Sequence, residues 1–153
     1  MKKDFLLLFV IYFSCACGNN KADESATGND TVEATPLFYR WEATDSNGML
    51  EMKRVEDEGP GALSPAEFVT YLNKVNSDLQ LVLIKTSGDT IYLKIPDASY
   101  LTEQQGSAGA TMILAELVYN LTEIPAIRYV NLDFEAGDHA APGVYDRGTF
   151  KNN

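Results

Sequence analysis

The hydrophobic positions of this chain change their spacing along its length, and the spacing predicts the elements. From Pro36 the stretch LFYRWEA alternates, with Leu37, Tyr39 and Trp41 on one face, and MLEMKRV follows after TDSNG. Alternation marks half-buried strands, and Asn47-Gly48 between them is a hairpin-turn signal. After the loop EDEGPGALS, Ser64-Pro65-Ala66-Glu67 reads as a capping box with proline at the first helical position. Phe68, Val69, Leu72 and Val75 then recur at helical spacing and predict a helix over 65–76.

DLQLVLIKTSGDTIYLKIP predicts a second hairpin, 79–86 and 90–95, turning at Ser87-Gly88-Asp89. Ile91, Leu93 and Ile95 alternate with Tyr92 and Lys94, so that strand has one wet face. Leu81 to Ile84 is apolar throughout, the pattern of a strand central in its sheet. Ile113, Leu114, Leu117, Val118 and Leu121 predict the buried face of a helix over 108–122, which stops before Pro125. A last strand, 127–134, turns Val130, Leu132 and Phe134 toward the core. The order β-β-α-β-β-α-β over 36–137 is α+β in class, a mixed or antiparallel sheet packed with two helices. Residues 138–153 follow as a C-terminal tail.

The other end has a different pattern. Lys2 and Lys3 precede nine unbroken apolar residues, Phe5 to Phe13. Nine helical residues reach about 13.5 Å, less than half a bilayer core, so residues 1–17 are expected to be an export signal rather than a spanning helix. The run closes on Ser14-Cys15-Ala16-Cys17-Gly18, which resembles a bacterial lipoprotein signal. That resemblance implies a cysteine that becomes the first mature residue and carries acyl chains, palmitate among them. Small residues at −1 and −3, Ala16 and Ser14, select Cys17; Cys15, with Tyr12 at −3, is the runner-up. Residues 18–35 hold almost no large apolar side chain and are expected to be a flexible acidic tether. The expected address is a lipid anchor in the bacterial envelope, at the outer membrane, facing the periplasm or the exterior.

Length and charge narrow the picture further. A chain of 153 residues holds one domain with a sizeable core. Its net charge of −10 repels phosphate backbones and anionic lipid, which argues against nucleic-acid partners. No cysteine follows Cys17, so the folded part has neither a disulfide framework nor thiol chemistry.

The segment LTEQQGSAGATMILAELVYNLTEIPAIRYVNLDFEAG, residues 101–137, resembles the core of the GerMN domain of spore-germination and sporulation proteins. Gly106-Ser107, Leu114 to Leu117, Leu121-Thr122-Glu123-Ile124-Pro125, and Val130 with Leu132 carry the resemblance, and Leu37-Phe38-Tyr39 suits the family's start. It implies an envelope-anchored, non-enzymatic domain that binds or assembles, with no catalytic residue, metal or cofactor to transfer. Expected partners are therefore membrane lipid through the acylated cysteine, and envelope proteins or further copies of the chain. Peptidoglycan binding, or service to a cell-wall hydrolase, is the alternative.

The candidate chemistry is sparse. Gly106-Ser107-Ala108-Gly109-Ala110 opens a helix, but the lysine of a phosphate loop is missing, since none occurs between Lys94 and Lys151. Small residues there suit close packing of helix on sheet. His139 is the sole histidine and reads as a surface-loop residue rather than part of a Ser-His-Asp relay. Asp45-Ser46-Asn47-Gly48 lacks the remaining ligands of a calcium loop, and Glu56-Asp57-Glu58 reads as solvated. Glu116 and Asp133 are the carboxylates best placed for glycan acid–base chemistry. Tyr92 and Tyr129, standing on wet strand faces, are the candidate binding surface, because tyrosine supplies contact area at low entropic cost.

Overall fold

The computed structural model describes residues 38–59 and 64–151. The expected export signal, Cys15, Cys17 and the tether lie outside the described residues. Strands β1 (Phe38–Ser46) and β2 (Met49–Asp57) pair antiparallel from Phe38↔Asp57 to Ser46↔Met49. Asn47 and Gly48 have φ of 57° and 79°, the doubly positive geometry whose twist matches a tight hairpin. Asp45 Oδ1 accepts the Gly48 N–H at 2.7 Å, so this aspartate serves the turn.

Helix α1 (Pro65–Val75) starts as its sequence predicts: Ser64 Oγ accepts the Glu67 N–H at 3.3 Å and proline occupies the first turn. Phe68, Val69 and Leu72 are buried, as is Tyr71. Val75, expected in the same stripe, is 44% exposed. It ends the helix, and the chain beyond it sends Leu79 and Leu81 into the core instead.

The larger sheet has the order β3-β4-β5-β6. Its strands are β3 (Val82–Ser87), β4 (Thr90–Lys94), β5 (Tyr129–Asp133) and β6 (Gly143–Tyr145). β3 and β4 form an antiparallel hairpin whose turn contains Gly88 at φ 60°; β4 and β5 run parallel, and β5 and β6 antiparallel. Parallel neighbours need a long crossover, supplied by a π-helical turn at Tyr100–Gln104 and α2 (Gly106–Leu121). The central-strand expectation for Leu81 to Ile84 is corrected here. β3 is an edge strand, with Val82 and Ile84 45% and 57% exposed. The apolar run arises because Leu81 and Leu83 serve the core while Val82 and Ile84 stand on a face that no described element covers.

Ile91, Leu93, Val130 and Leu132 turn inward and join Phe68 and Leu72 of α1 and Leu114, Leu117, Val118 and Leu121 of α2 in one core. α2 also touches the small hairpin. The β1 edge facing away from β2 is satisfied by helix side chains: Asn120 Oδ1 accepts the Trp41 N–H at 2.9 Å, and Glu116 Oε1 accepts the Ala43 N–H at 2.8 Å. α1 grips the same hairpin at Asp57, whose Oδ2 accepts from Tyr71 Oη at 2.7 Å and Arg40 Nε at 2.9 Å. Those two hydrogen bonds hold the Asp57 carboxyl below the usual range.

The segment after Gly137, a plain tail by sequence pattern, folds back onto the domain. It supplies β6 and a 3₁₀ turn, Arg147–Phe150, that buries Phe150. Arg147 donates to Tyr119 O at 2.8 Å, Thr122 Oγ1 at 2.7 Å and Glu123 Oε1 at 2.6 Å. Its guanidinium lies over the Trp41 and Tyr119 rings, 5.4 and 5.0 Å from their centroids, while Arg54 lies over Tyr39 and Trp41 at 5.1 and 5.5 Å. Glu123 joins the stack by accepting Trp41 Nε1–H at 2.8 Å. Burial alone would raise the Glu123 carboxyl, but the Trp41 and Arg147 hydrogen bonds outweigh it and hold it low.

Candidate binding surface

With both helices in the core on the inner side, the outer face of the four-stranded sheet is covered by none of the described elements. Period-two alternation decides which side chains stand on it. The register arranges them in three rungs: Val82, Lys94 and Asp133; then Lys85, Tyr92, Asn131 and Val144; then Ser87, Thr90 and Tyr129. A β-bulge between Leu83 and Lys85 adds Ile84 to the second rung. The two tyrosines named from the sequence therefore share one face, on adjacent parallel strands, two residues out of register. Tyr129 is 39% exposed and Tyr92 half-buried. Lys85 Nζ lies 4.7 Å from the Tyr92 ring centroid, which holds that ring over the sheet.

Seven large hydrophobic residues are exposed among the described residues, and four of them, Val82, Ile84, Tyr129 and Val144, stand on this face. A shallow groove of about 480 Å³ runs across it between Ile84, Tyr92, Asn131, Asp133, Pro142 and Gly143. Clustered exposed apolar area of this kind marks an interaction surface, whereas single scattered residues do not. The tyrosines were readable from strand alternation. Ile84 and Val144 were not, because the first sits on a bulge and the second on a three-residue strand.

The remaining candidates are dispersed. Glu116 is engaged with β1, and burial raises its carboxyl above the ordinary range despite the Ala43 hydrogen bond. Asp133 lies on the outer face of the sheet, away from the helix side, so these two carboxylates do not converge. Among the described residues no three His, Asp or Glu side chains cluster as a metal ion would require. Sequence reasoning missed one contact, Ser107 Oγ to His139 Nδ1 at 3.2 Å, which joins residues 32 apart at the start of α2. It borders a cleft of about 230 Å³ between the hairpin turn and α2, lined by Asp45, Leu50, Ser107 and Met112 among others. Among the described residues no carboxylate completes a relay with the imidazole, so the pair pins the 137–140 loop to α2. Gly137 lets the same loop lie close on the π-helical turn that precedes α2, since a Cβ there would come within 2.6 Å of Thr102 Cβ.

Comparison with curated proteins and with solved structures finds no significant match. A family model does match, over residues 11–135: Germane, described as sporulation and spore germination. It spans most of the chain and includes the first hairpin, both helices and β5, so the chain belongs to the Germane family, the sporulation and spore germination family of GerMN-type domains.

Proposed function

We propose that this chain is a membrane-anchored lipoprotein of the bacterial envelope whose domain works by binding protein, either envelope partners or further copies of itself, without catalysis. The observation that carries the reading is the open sheet face. Among the described residues, four of the seven exposed large hydrophobics and both candidate tyrosines stand on it, and no described element covers it. Lys2, Lys3, the apolar run Phe5 to Phe13 and the Ser14-Cys15-Ala16-Cys17 close support the anchor, with Cys17 as the acylated residue. The polar and hydrogen-bonding groups inside the domain serve its own scaffold, as Glu116, Asn120 and Glu123 illustrate.

In-cell crosslinking followed by capture of the anchored protein tests the reading. Recovery of the chain itself or of a defined set of envelope proteins, lost on Tyr92→Ala with Tyr129→Ala, is expected. Recovery of cell-wall fragments alone would overturn it in favour of glycan binding. Metabolic labelling with a palmitate analogue tests the anchor: label should vanish with Cys17→Ser and persist with Cys15→Ser.

A further inference from the structure

Resting on that binding reading, we infer that the occupant of the open face is a second copy of this chain, packed sheet to sheet about a two-fold axis. Three observations combine. The first is charge. The chain carries −10, yet this face holds two lysines, Lys85 and Lys94, and one carboxylate, Asp133. The acidic surplus that makes two copies repel lies off this face, where Lys94 and Asp133 can complement one another across a two-fold axis.

The second is the symmetry of the strand order. β4 and β5 are central and parallel, with β3 and β6 flanking them. An axis lying in the interface along the strands, between β4 and β5, places β4 of one copy over β5 of the other at the same height. Register partners then meet across the interface. Lys94 faces Asp133 of the second copy and Asp133 faces its Lys94, because these two are paired in the β4–β5 register. Tyr92 faces Asn131 of the second copy, and Thr90 faces its Tyr129. In the outer strands, Ile84 and Lys85 of β3 come over Val144 of β6, since Lys85, Tyr92, Asn131 and Val144 share a rung. Lys94 and Asp133 each meet their opposite, and the exposed aliphatics Ile84 and Val144 at the two edges meet each other. Aligned sheets pack face to face about 10 Å apart, with side chains of the two faces in contact.

The third is size. Four strands about 4.8 Å apart and five residues long make a face of roughly 14 by 17 Å before side chains are added. That is small for a permanent interface, so the dimer is weak in solution. Under the anchored reading, confinement to a membrane surface raises the effective concentration of copies and compensates.

Sedimentation equilibrium on the full chain in density-matched detergent tests this, with circular dichroism and thermal melting as checks on folding. The wild type should be in reversible monomer–dimer equilibrium. Lys94→Asp should weaken the dimer at least tenfold, as should Asp133→Lys, and the double swap should restore it. Ile84→Glu should abolish dimerisation, while Met49→Glu, an exposed apolar residue on the hairpin, should leave it intact. A dimer indifferent to Ile84→Glu and to the charge changes would overturn the inference. A monomer that captures another envelope protein through Tyr129 would also overturn it, while leaving the binding reading standing. A monomer that captures nothing would end both.

Discussion

Asn120 makes both backbone hydrogen bonds of Trp41. Its Oδ1 accepts the Trp41 N–H at 2.9 Å, and its Nδ2 donates to the Trp41 carbonyl at 2.8 Å. The side-chain amide thus stands in for a neighbouring strand at the free edge of β1, from a position only 2% exposed. A helix covers that edge and blocks pairing with another chain.

Replacing Asn120 by alanine should therefore be among the most damaging single changes outside the apolar core. It strands a buried N–H and a carbonyl, each costing about 1–3 kcal/mol when unsatisfied. We expect a loss of about 2–4 kcal/mol in urea unfolding, with the larger sheet retained. A loss near zero would mean that water replaces the amide.

Arg147→Ala should detach the C-terminal turn from α2 and from Trp41, costing about 1.5–3 kcal/mol through charge-assisted hydrogen bonds and ring contacts. Trp41 is the only tryptophan of the chain, so its emission reports the contact directly. A red shift on Arg147→Ala is expected, with a partial one for Arg147→Lys, which keeps the charge but not the fork. Unchanged emission would contradict the stacking.

Acid should act oppositely on two glutamates of α2 and its end. The folded value of Glu116 is raised, so its contribution is fullest below the unfolded carboxylate range and declines as pH rises through the folded value. That of Glu123 is lowered, so its contribution is present above the unfolded range and is lost as pH falls through the folded value. Thermal melting at neutral and acid pH should show Glu116→Gln gaining on the wild type at neutrality, a gain that fades in acid. Glu123→Gln should lose at neutrality and converge on the wild type in acid. The same sign for both would contradict these environments.

Tyr71→Phe removes the hydroxyl that joins α1 to Asp57 while leaving Arg40 in place. The expected cost is about 0.5–1.5 kcal/mol. Burial, then the Asp57 hydrogen bond, raises the Tyr71 phenol well above its ordinary value. Its contribution is accordingly full below the unfolded phenol value and is lost only in strong alkali, so the wild type and the variant should converge there.

Much of this fold is legible in the sequence, because its signals are local. Ser64 and Glu67 mark a helix start, Asn47-Gly48 a turn, and Val130, Leu132 and Phe134 an inward alternation, each within a few residues. The failures concern what only neighbours decide. Leu81 to Ile84 carries the composition of a central strand, yet edge or centre depends on whether another strand arrives beside β3. β6 is three residues long, too short to show a period. Asn120 looks like a stray polar residue in an apolar helix until β1 is set against it. The candidate binding face was half legible: Tyr92 and Tyr129 follow from alternation, but their union with Ile84 and Val144 follows from the strand order.

The latch of Arg147 on Trp41 also sets when the molecule can be finished. One partner stands on β1 and the other in the 3₁₀ turn that follows β6, so a product of synthesis that stops at α2 holds only the first. Until the ribosome releases residue 147, the first hairpin meets α2 without the arginine that stacks on its tryptophan. Trimming the final dozen residues would leave a molecule permanently at that earlier stage.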